Sequence, residues 1–599
     1  MSGSDGGPKE GPGNWRLPMR LAYVVSHSLP WSSNGYAVRS HAIARALTAA
    51  GHEVILFTRP GRPWDIEGFP ADQAVDLERR IDGIRYVSLP MPPMPGARPI
   101  ERVRQAAAVL TEAFQVFRPA AVLAASNWEN AEPARRAAGR TGAAFFYEQR
   151  GFWEMGETGM APAAQEAARK QETDIALAAR AVFTLNGPMR DELVRRGVPP
   201  GRVQLVPNGV SLPGRIDGRL SRAALGCRAR YLVGYIGSLS AYEGVEDLLH
   251  LVAQLRGDPA GALDADALIV GSDAPKGLIG ADGGATAALR ALAARLSISD
   301  HVHFVPQQPE ATVTSYYPLC DAIVLPRRRN PVTELVPPIK PYSAAAHSLP
   351  VFMTDLPPLA EIAAEINGTL FPEGDIEALA RGVRQALTQG HPATVMPLDP
   401  DLDWSHRVLP IRRHLEAVAE AERSRNTRLL GAPSALPAMR STQPAGAASA
   451  GSVRRFDPAT LPFAHLRSLI GEAPVALVGP GRNLVQGAPD HVIRLGRADI
   501  LDVLATAEPG RFVIDWAGLQ AEGASLDGGS SDWAGLWSIE DMRLNRLIMD
   551  AARLALDRGW RLQVLGPVHR SQAPLYRTVA NVMEEVLPGP PAGPSGAAA

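Results

Sequence analysis

A chain of 599 residues is several times the usual size of about 100 to 200 residues per domain, so three or more folded units are expected and a single small binding module is excluded. With 61 Lys and Arg against 62 Asp and Glu, the formal charge of −1 provides no global field for nucleic acid or for an anionic bilayer. The 46% hydrophobic and 21% charged fractions are those of an ordinary globular chain, which excludes wholesale disorder. Residues 1–17 are polar and lack an apolar run of signal-peptide length. No stretch reaches the roughly 18 apolar residues of a membrane span, so a cytoplasmic, soluble protein is expected. Cys227 and Cys320 are too few for a disulfide framework or a Cys-rich zinc site and are expected as buried fillers.

The apolar run Leu21 to Val25 is short and unbroken, as in a strand covered on both faces of a parallel sheet. A polar loop, an amphipathic helix ending at Gly51 and a strand from Glu53 complete a βαβ unit. The rhythm continues with a helix near Glu101 to Phe117, a strand at Ala121 to Ala125, a helix at Ala131 to Arg140 and a strand at Ala144 to Tyr147. A helix to Arg180, the strand AVFTL, the helix GPMRDELVRRG and the strand VQLVPNGV close this series over residues 18–210.

A second series over 211–425 begins with YLVGYIGSL at Tyr231 and ends in a long helix within DWSHRVLPIRRHLEAVAEAERSR. Residues 426–454, rich in Ala, Pro, Gly and Ser, read as a flexible linker. Residues 455–588 read as a smaller α/β domain, with helices at Ile539 to Arg558 and Pro574 to Leu587, and 589–599 as a disordered tail. The fold class is therefore α/β: two doubly wound Rossmann-like domains and a third, smaller one.

Two such domains leave a cleft at the carboxyl ends of their strands, where loops and helix N-termini hold phosphates. Asn34 and Gly35 lie between the first strand and helix, with Arg39 and His41 just inside the helix; a plain βα turn is the other reading of this dipeptide. Arg327, Arg328, Arg329 and Lys340 are the densest cationic group near the corresponding loop of the second domain, and a solvated basic loop is their alternative reading.

Several segments resemble, in order, the family 4 (group 1) retaining glycosyltransferases of GT-B fold: SSNGYAVRSHAIARALTAAGHEV, FFYEQRGFWE, VQLVPNGV, YIGSLSAYEGVEDLL and DAIVLPRRRNPVTELVPPIKPYSAAAHSLPVFMTD. The resemblance runs from about Arg20 to Arg425. It implies an enzyme, a bacterial-type hexosyltransferase of polysaccharide biosynthesis, that moves a sugar from a nucleoside-diphosphate sugar to a glycan, lipid-linked or protein acceptor with retention of configuration. It places Gly35 under the donor diphosphate, with Asn34 beside it among the substrate-binding residues, Glu148 and Arg150 on the acceptor side, Gly237 and Ser238 at the donor-phosphate loop and Glu334 near the transferred sugar, with Glu334, Arg150 and Glu148 as the catalytic set. No nucleic-acid partner is expected; peripheral membrane association and oligomeric state are left open.

The departures also have consequences. Ser238 and Glu243 stand where many members carry Arg and Lys, so Arg327, Arg328 and Lys340 are the expected substitutes. Ser343 replaces the glutamate that grips the nucleotide ribose. No cofactor or metal is expected, because neither domain presents an Asp-x-Asp donor-site motif and cations can neutralise the leaving diphosphate. A non-catalytic nucleotide-sugar-binding scaffold and a GT-B-fold nucleotide-sugar 2-epimerase are the alternatives.

His27, His52 and His347 lack metal-ligand spacing and read as structural, and Trp128, Trp153 and Trp404 as interdomain core or sugar platforms. In the third domain VGPGRNL reads as a structural Gly-rich turn, and RFVIDWAGLQAEGAS faintly resembles spore-maturation-type glycosyltransferase domains.

Overall fold

The computed structural model describes residues 19–430 except 33, 71–74, 92–93, 157–159, 211–219, 259–260, 274–283 and 390–398, and beyond them 475–478, 492–507, 510–516, 542–558, 560–565 and 584–586. The chain divides into two bodies near Leu415. The first body holds two sheets.

Its first domain runs β1 (Arg20–Val25), α1 (Gly35–Ala49), β2 (Glu53–Thr58), β3 (Glu78–Ile81), β4 (Ile84–Val87), α2 (Pro99–Phe117), β5 (Ala121–Ala125), α3 (Trp128–Thr141), β6 (Ala144–Glu148), α4 (Trp153–Gly156), α5 (Pro162–Ala178), β7 (Val182–Thr184), α6 (Gly187–Arg195) and β8 (Val203–Leu205). The sheet order β3-β4-β2-β1-β5-β6-β7-β8 is parallel apart from the antiparallel β3–β4 pair. β1 lies between β2 and β5, which explains why Leu21 to Val25 are all solvent-excluded. The β3–β4 hairpin was not anticipated. Its signal is Asp82-Gly83, both at positive φ, a two-residue turn whose twist matches that of its strands.

The second domain contains β9 (Tyr231–Ile236), α7 (Glu246–Gly257), β10 (Ala265–Val270), α8 (Ala285–Arg295), β11 (Val302–Val305), α9 (Glu310–Val313), β12 (Ala322–Leu325), α10 (Lys340–Ala346), β13 (Val351–Thr354), α11 (Pro357–Ile366), β14 (Thr369–Phe371) and α12 (Ile376–Gln389). Its strands follow the order β11-β10-β9-β12-β13-β14, the doubly wound pattern in which the order reverses beside the first strand. One buried cluster, including Val233, Leu251 and Val383, covers one face, and another, including Leu232, Leu268 and Leu359, covers the opposite face.

The chain then returns to the first domain through α13 (Trp404–Arg407) and α14 (Leu409–Leu430). Val210 N donates to Leu402 O at 2.7 Å, and His414 packs on Phe146 and Phe183. The expected strand VQLVPNGV is only β8, because Pro207 to Val210 leave the sheet to meet this returning segment. The helix also runs to Leu430, past the expected start of the linker at Asn426; the remainder of 426–454, residues 1–17 and 589–599, and VGPGRNL beyond Val478 lie outside the described residues.

The second body contains β15 (Val475–Val478), β16 (Val492–Arg494), β17 (Arg511–Asp515), β18 (Arg561–Leu565) and β19 (Glu584–Val586), all parallel in the order β16-β15-β17-β18-β19, with helices at Ile500–Thr506 and Met542–Asp557. The expected helix Pro574 to Leu587 is corrected at its end: Glu584 to Val586 pair with Gln563 to Leu565, so strand pairing overrides a locally helix-compatible sequence. Phe512, Ile514, Trp516 and Ile548 lie in its core.

His52 follows α1 and is 6% exposed, and neither ring nitrogen has a hydrogen-bond partner among the described residues. Burial, aided by Arg412, pushes its pKa down to about 4. The unfolded chain therefore takes up this proton at higher pH than the native state. Stability is full above the ordinary histidine range and is lost as pH falls from about 6.5 towards 4. His52→Asn should flatten the acid limb of a urea-stability profile by about one proton; an unchanged slope would remove His52 from the acid response.

Candidate active site

In both sheets the order reverses where two adjacent parallel strands send their connections to opposite faces, which opens a crevice at their carboxyl ends. In the second domain these strands are β9 and β12; Gly237 directly follows the first, and Arg327 follows the second after Pro326. Gly237 has φ +152°, a conformation suited to glycine, and a Cβ there would lie 2.8 Å from Lys340 Nζ and closer still to Lys340 Cε. The missing side chain is what lets Lys340, the first residue of α10, cross the loop. Gly237→Ala should cost about 1 to 3 kcal/mol through backbone strain and displace Lys340. Native stability with wild-type ligand affinity in that variant would contradict this packing.

Lys340 Nζ donates to Tyr235 Oη at 2.6 Å and pairs with Glu243 Oε2 at 2.8 Å. Arg327 pairs with Glu243 Oε1 at 3.4 Å and donates to Val336 O at 2.9 Å, while its Nε has no partner among the described residues. Glu243 and Arg327 are almost completely buried. Burial alone would raise the Glu243 carboxyl, but the two cations hold it below its usual range; Lys340 is lowered by burial, against the pull of Glu243.

The basic group expected over Arg327 to Lys340 is divided by the fold. Arg328 Nη2 donates to Asp247 Oδ1 at 2.6 Å, and Arg329 Nη1 to Glu334 Oε1 at 2.7 Å, so of the four only Arg327 and Lys340 converge beside Gly237. Glu334 is half-exposed in this surface pair. Ser238 accepts at its carbonyl from Tyr235 Oη at 2.5 Å, and Ser343 lies one helical turn beyond Lys340.

In the first domain, Glu148 at the end of β6 is fully buried. Its Oε1 accepts from Arg39 Nε at 2.8 Å and its Oε2 from Arg150 Nη2 at 2.7 Å and from Tyr23 Oη. Arg150 also donates to Tyr36 O and Ser40 Oγ, both at 2.9 Å. Burial would raise the Glu148 carboxyl, yet Arg150 and Arg39 hold it down at about 2. Glu148 and Arg150, expected on the acceptor side of the cleft, form a buried ion-pair network with Arg39, in which three hydrogen-bonding partners close around one carboxylate.

Asn34 caps α1, accepting from Tyr36 N and Ala37 N at 3.1 Å. A Cβ on Gly35 would be in ordinary contact, 3.4 Å, with Ile339 Cγ2 of the second domain. His41 is committed to Tyr86 and Asp82 of the hairpin.

The loop between β12 and α10 joins the two clusters. Asn186 Nδ2 donates to Leu335 O at 3.0 Å and Asn208 Nδ2 to Pro337 O at 3.3 Å, while Arg39 Nη1 donates to Asn208 Oδ1 at 3.0 Å. A continuous polar chain thus runs from Glu148 through Arg39 and Asn208 to the loop that Arg327 holds. Sequence reasoning missed the roles of Asn186, Asn208, Tyr235 and Glu243. The available signal was Glu243 itself, an acid in a segment where relatives carry a base. Glu172 was also missed: it accepts from Trp128 N and Trp153 Nε1 at 2.6 Å, and burial raises it to about 7.

Residues 34–209 match the family described as glycosyl transferase 4-like domain, and residues 222–396 that described as glycosyl transferases group 1, together more than half of the chain. A D-inositol 3-phosphate glycosyltransferase of Nocardia farcinica is 33% identical over 171 residues, 28% of this chain and 36% of the relative. A protein of the same name from Salinispora tropica is 25% identical over 348 residues, 53% of this chain and 69% of the relative. The chain therefore spans only about a third of the length of the Nocardia relative. Among solved structures, a sucrose-phosphate synthase from Thermosynechococcus elongatus superposes with a TM-score of 0.52 at 20% identity, covering 67% of this chain and all of that one.

Proposed function

We propose, from the premise that this two-domain body belongs to the group 1 glycosyltransferases and has their GT-B fold, that the protein moves a sugar from a nucleoside-diphosphate sugar to a glycan, lipid-linked or protein acceptor with retention of configuration. The observation that carries the reading is the convergence of Lys340 and Arg327 beside Gly237, at the crevice where the strand order of the second sheet reverses. Glycosyl transfer builds negative charge on the departing diphosphate, and two largely desolvated cations stabilise that charge best in the transition state. They can do so with no divalent ion in the transfer step.

Arg39 and Arg150 are both paired with the buried Glu148. Ser343 offers one short hydroxyl near the donor, so ribose recognition relies on a different contact from the family glutamate. Among the described residues no helix is long and apolar enough to cross a membrane.

Turnover across a panel of nucleotide sugars, with wild type and Ser343→Glu assayed together, tests the reading. Wild type is expected to turn over at least one donor, and Ser343→Glu to change donor affinity by about 1 to 3 kcal/mol, roughly five- to 150-fold. Turnover confined to Ser343→Glu would make the natural protein a nucleotide-sugar-binding scaffold, and release of a 2-epimerised sugar without transfer would make it an epimerase.

A further inference from the structure

Away from the donor crevice, at the amino-terminal rim of the second sheet, three side chains with different metal-binding atoms meet. β10 and β11 pair with Leu268 opposite His303, so His303 shares a sheet face with Leu268 and, two residues earlier, with Asp266. Cys227, in the segment leading into β9, belongs to the cluster packed on that face together with Leu232 and Leu268. One ligand atom from each of Cys227, Asp266 and His303 lies within 4.8 Å of the other two. Cys227 is 5% exposed and Asp266 3%. His303 Nε2 is 2.8 Å from Asp266 Oδ2, and His301 Nδ1 reaches the other carboxylate oxygen at 3.0 Å.

We infer that Cys227, Asp266 and His303 form a binding site for a zinc-like divalent ion, held by the thiolate, one carboxylate oxygen and Nε2 of the imidazole, with water or His301 in the fourth position. Thiolate, imidazole and carboxylate together are the ligand types zinc takes, whereas magnesium and calcium select oxygens. Ligand bonds of about 2.0 to 2.3 Å in tetrahedral array put ligand atoms roughly 3.3 to 3.8 Å apart. Asp266 Oδ2 and His303 Nε2 lie 2.8 Å apart and the Cys227 sulfur within 4.8 Å of a ligand atom of each residue, so a small opening of the first contact with an approach of the thiol admits the ion. Burial and the Asp266 charge oppose ionisation of the Cys227 thiol, and a cation seated between the two reverses both effects. Arg256 lies 3.4 Å from Asp266 Oδ1, the oxygen turned towards His301, which leaves Oδ2 for the ion.

The position defines the role. Gly237 and Gly271 mark the carboxyl ends of β9 and β10, whereas Asp266 is the second residue of β10 and His303 the second of β11, so the ion would tie the lead-in of β9 to two neighbouring strands and take no part in sugar transfer.

The test is cobalt titration of the full chain after metal has been removed by a chelator. One Co2+ per chain should bind with a thiolate charge-transfer band and the intense visible absorption of tetrahedral coordination, and Zn2+ should displace it and raise the thermal midpoint. Cys227→Ser should abolish the charge-transfer band, which also separates this thiol from Cys320, and His303→Gln should weaken cobalt binding by about tenfold or more. A weak octahedral spectrum, no retained cobalt, or a charge-transfer band persisting in Cys227→Ser would overturn the site and leave a hydrogen-bonded trio. Should either variant fail to fold, the spectrum of the wild type decides alone. The readout is absorption, so it stands or falls separately from glycosyl transfer.

Discussion

Lys340→Ala is expected to weaken nucleoside-diphosphate binding about ten- to a hundredfold, the loss of a charge-assisted contact worth roughly 1.5 to 3 kcal/mol. The upper end is favoured by what the variant leaves behind. Glu243 would keep only Arg327, at 3.4 Å, as a counter-charge, and its carboxylate would stand in the site that must accept an anionic ligand. The double variant Lys340→Ala with Glu243→Gln should therefore recover part of the affinity, with a coupling energy that a double-mutant cycle isolates. Glu243→Gln alone releases both cations from their internal partner and should bind the diphosphate at least as tightly as the wild type. Calorimetry against a panel of nucleoside diphosphates measures all four corners. Equal affinity in Lys340→Ala and wild type would move the phosphate site elsewhere, and loss of affinity in Glu243→Gln would mean that the carboxylate positions the two cations rather than competing for them.

The second large effect is on stability. Arg150→Ala removes one of two guanidinium partners from a fully buried carboxylate and should cost about 3 to 5 kcal/mol. Glu148→Gln keeps the shape and a hydrogen-bond acceptor and should lose less, although it leaves Arg39 and Arg150 with a neutral partner in a desolvated place. Urea unfolding followed by fluorescence reads both. The pairing of Arg39 with Asn208, and of Asn208 with the loop carrying Pro337, extends the consequence to the second domain, so donor affinity should fall along with stability. If Arg150→Ala unfolds like the wild type while turnover disappears, Arg150 acts on substrate directly and the role implied by family resemblance is restored.

The donor cluster was legible in part. Gly237 could be singled out through the resemblance of its segment to the glycosyltransferase family, and Arg327 and Lys340 as the cations expected near that loop. Arg328 could not be separated from Arg327, because adjacent residues leave a loop in different directions and only the packing of α7, which supplies Asp247, decides which one turns inward. Glu334, which the resemblance places near the transferred sugar, is paired at the surface with Arg329.

The alternation of unbroken apolar runs with amphipathic helices was enough to determine two doubly wound domains, since a strand buried on both faces has no polar alternation to confuse with anything else. In the third domain the apolar run RFVID is β17, while Glu584 to Val586, inside an expected helix, are β19 because pairing with β18 outweighed a helix-compatible sequence. What only the tertiary structure decided was the state of the charges. Glu148, Arg150, Arg39 and Glu243 are written in the chain as ordinary ionisable residues, and nothing local says whether each faces solvent, a ligand or another side chain. Partners 84 to 109 residues away settle that for Glu148, Arg39 and Glu243, through burial and pairing that depend on how separate strands end beside one another. Sequence fixes which groups are available; the fold fixes which of them are already neutralised, and in a low-dielectric crevice that difference outweighs residue type.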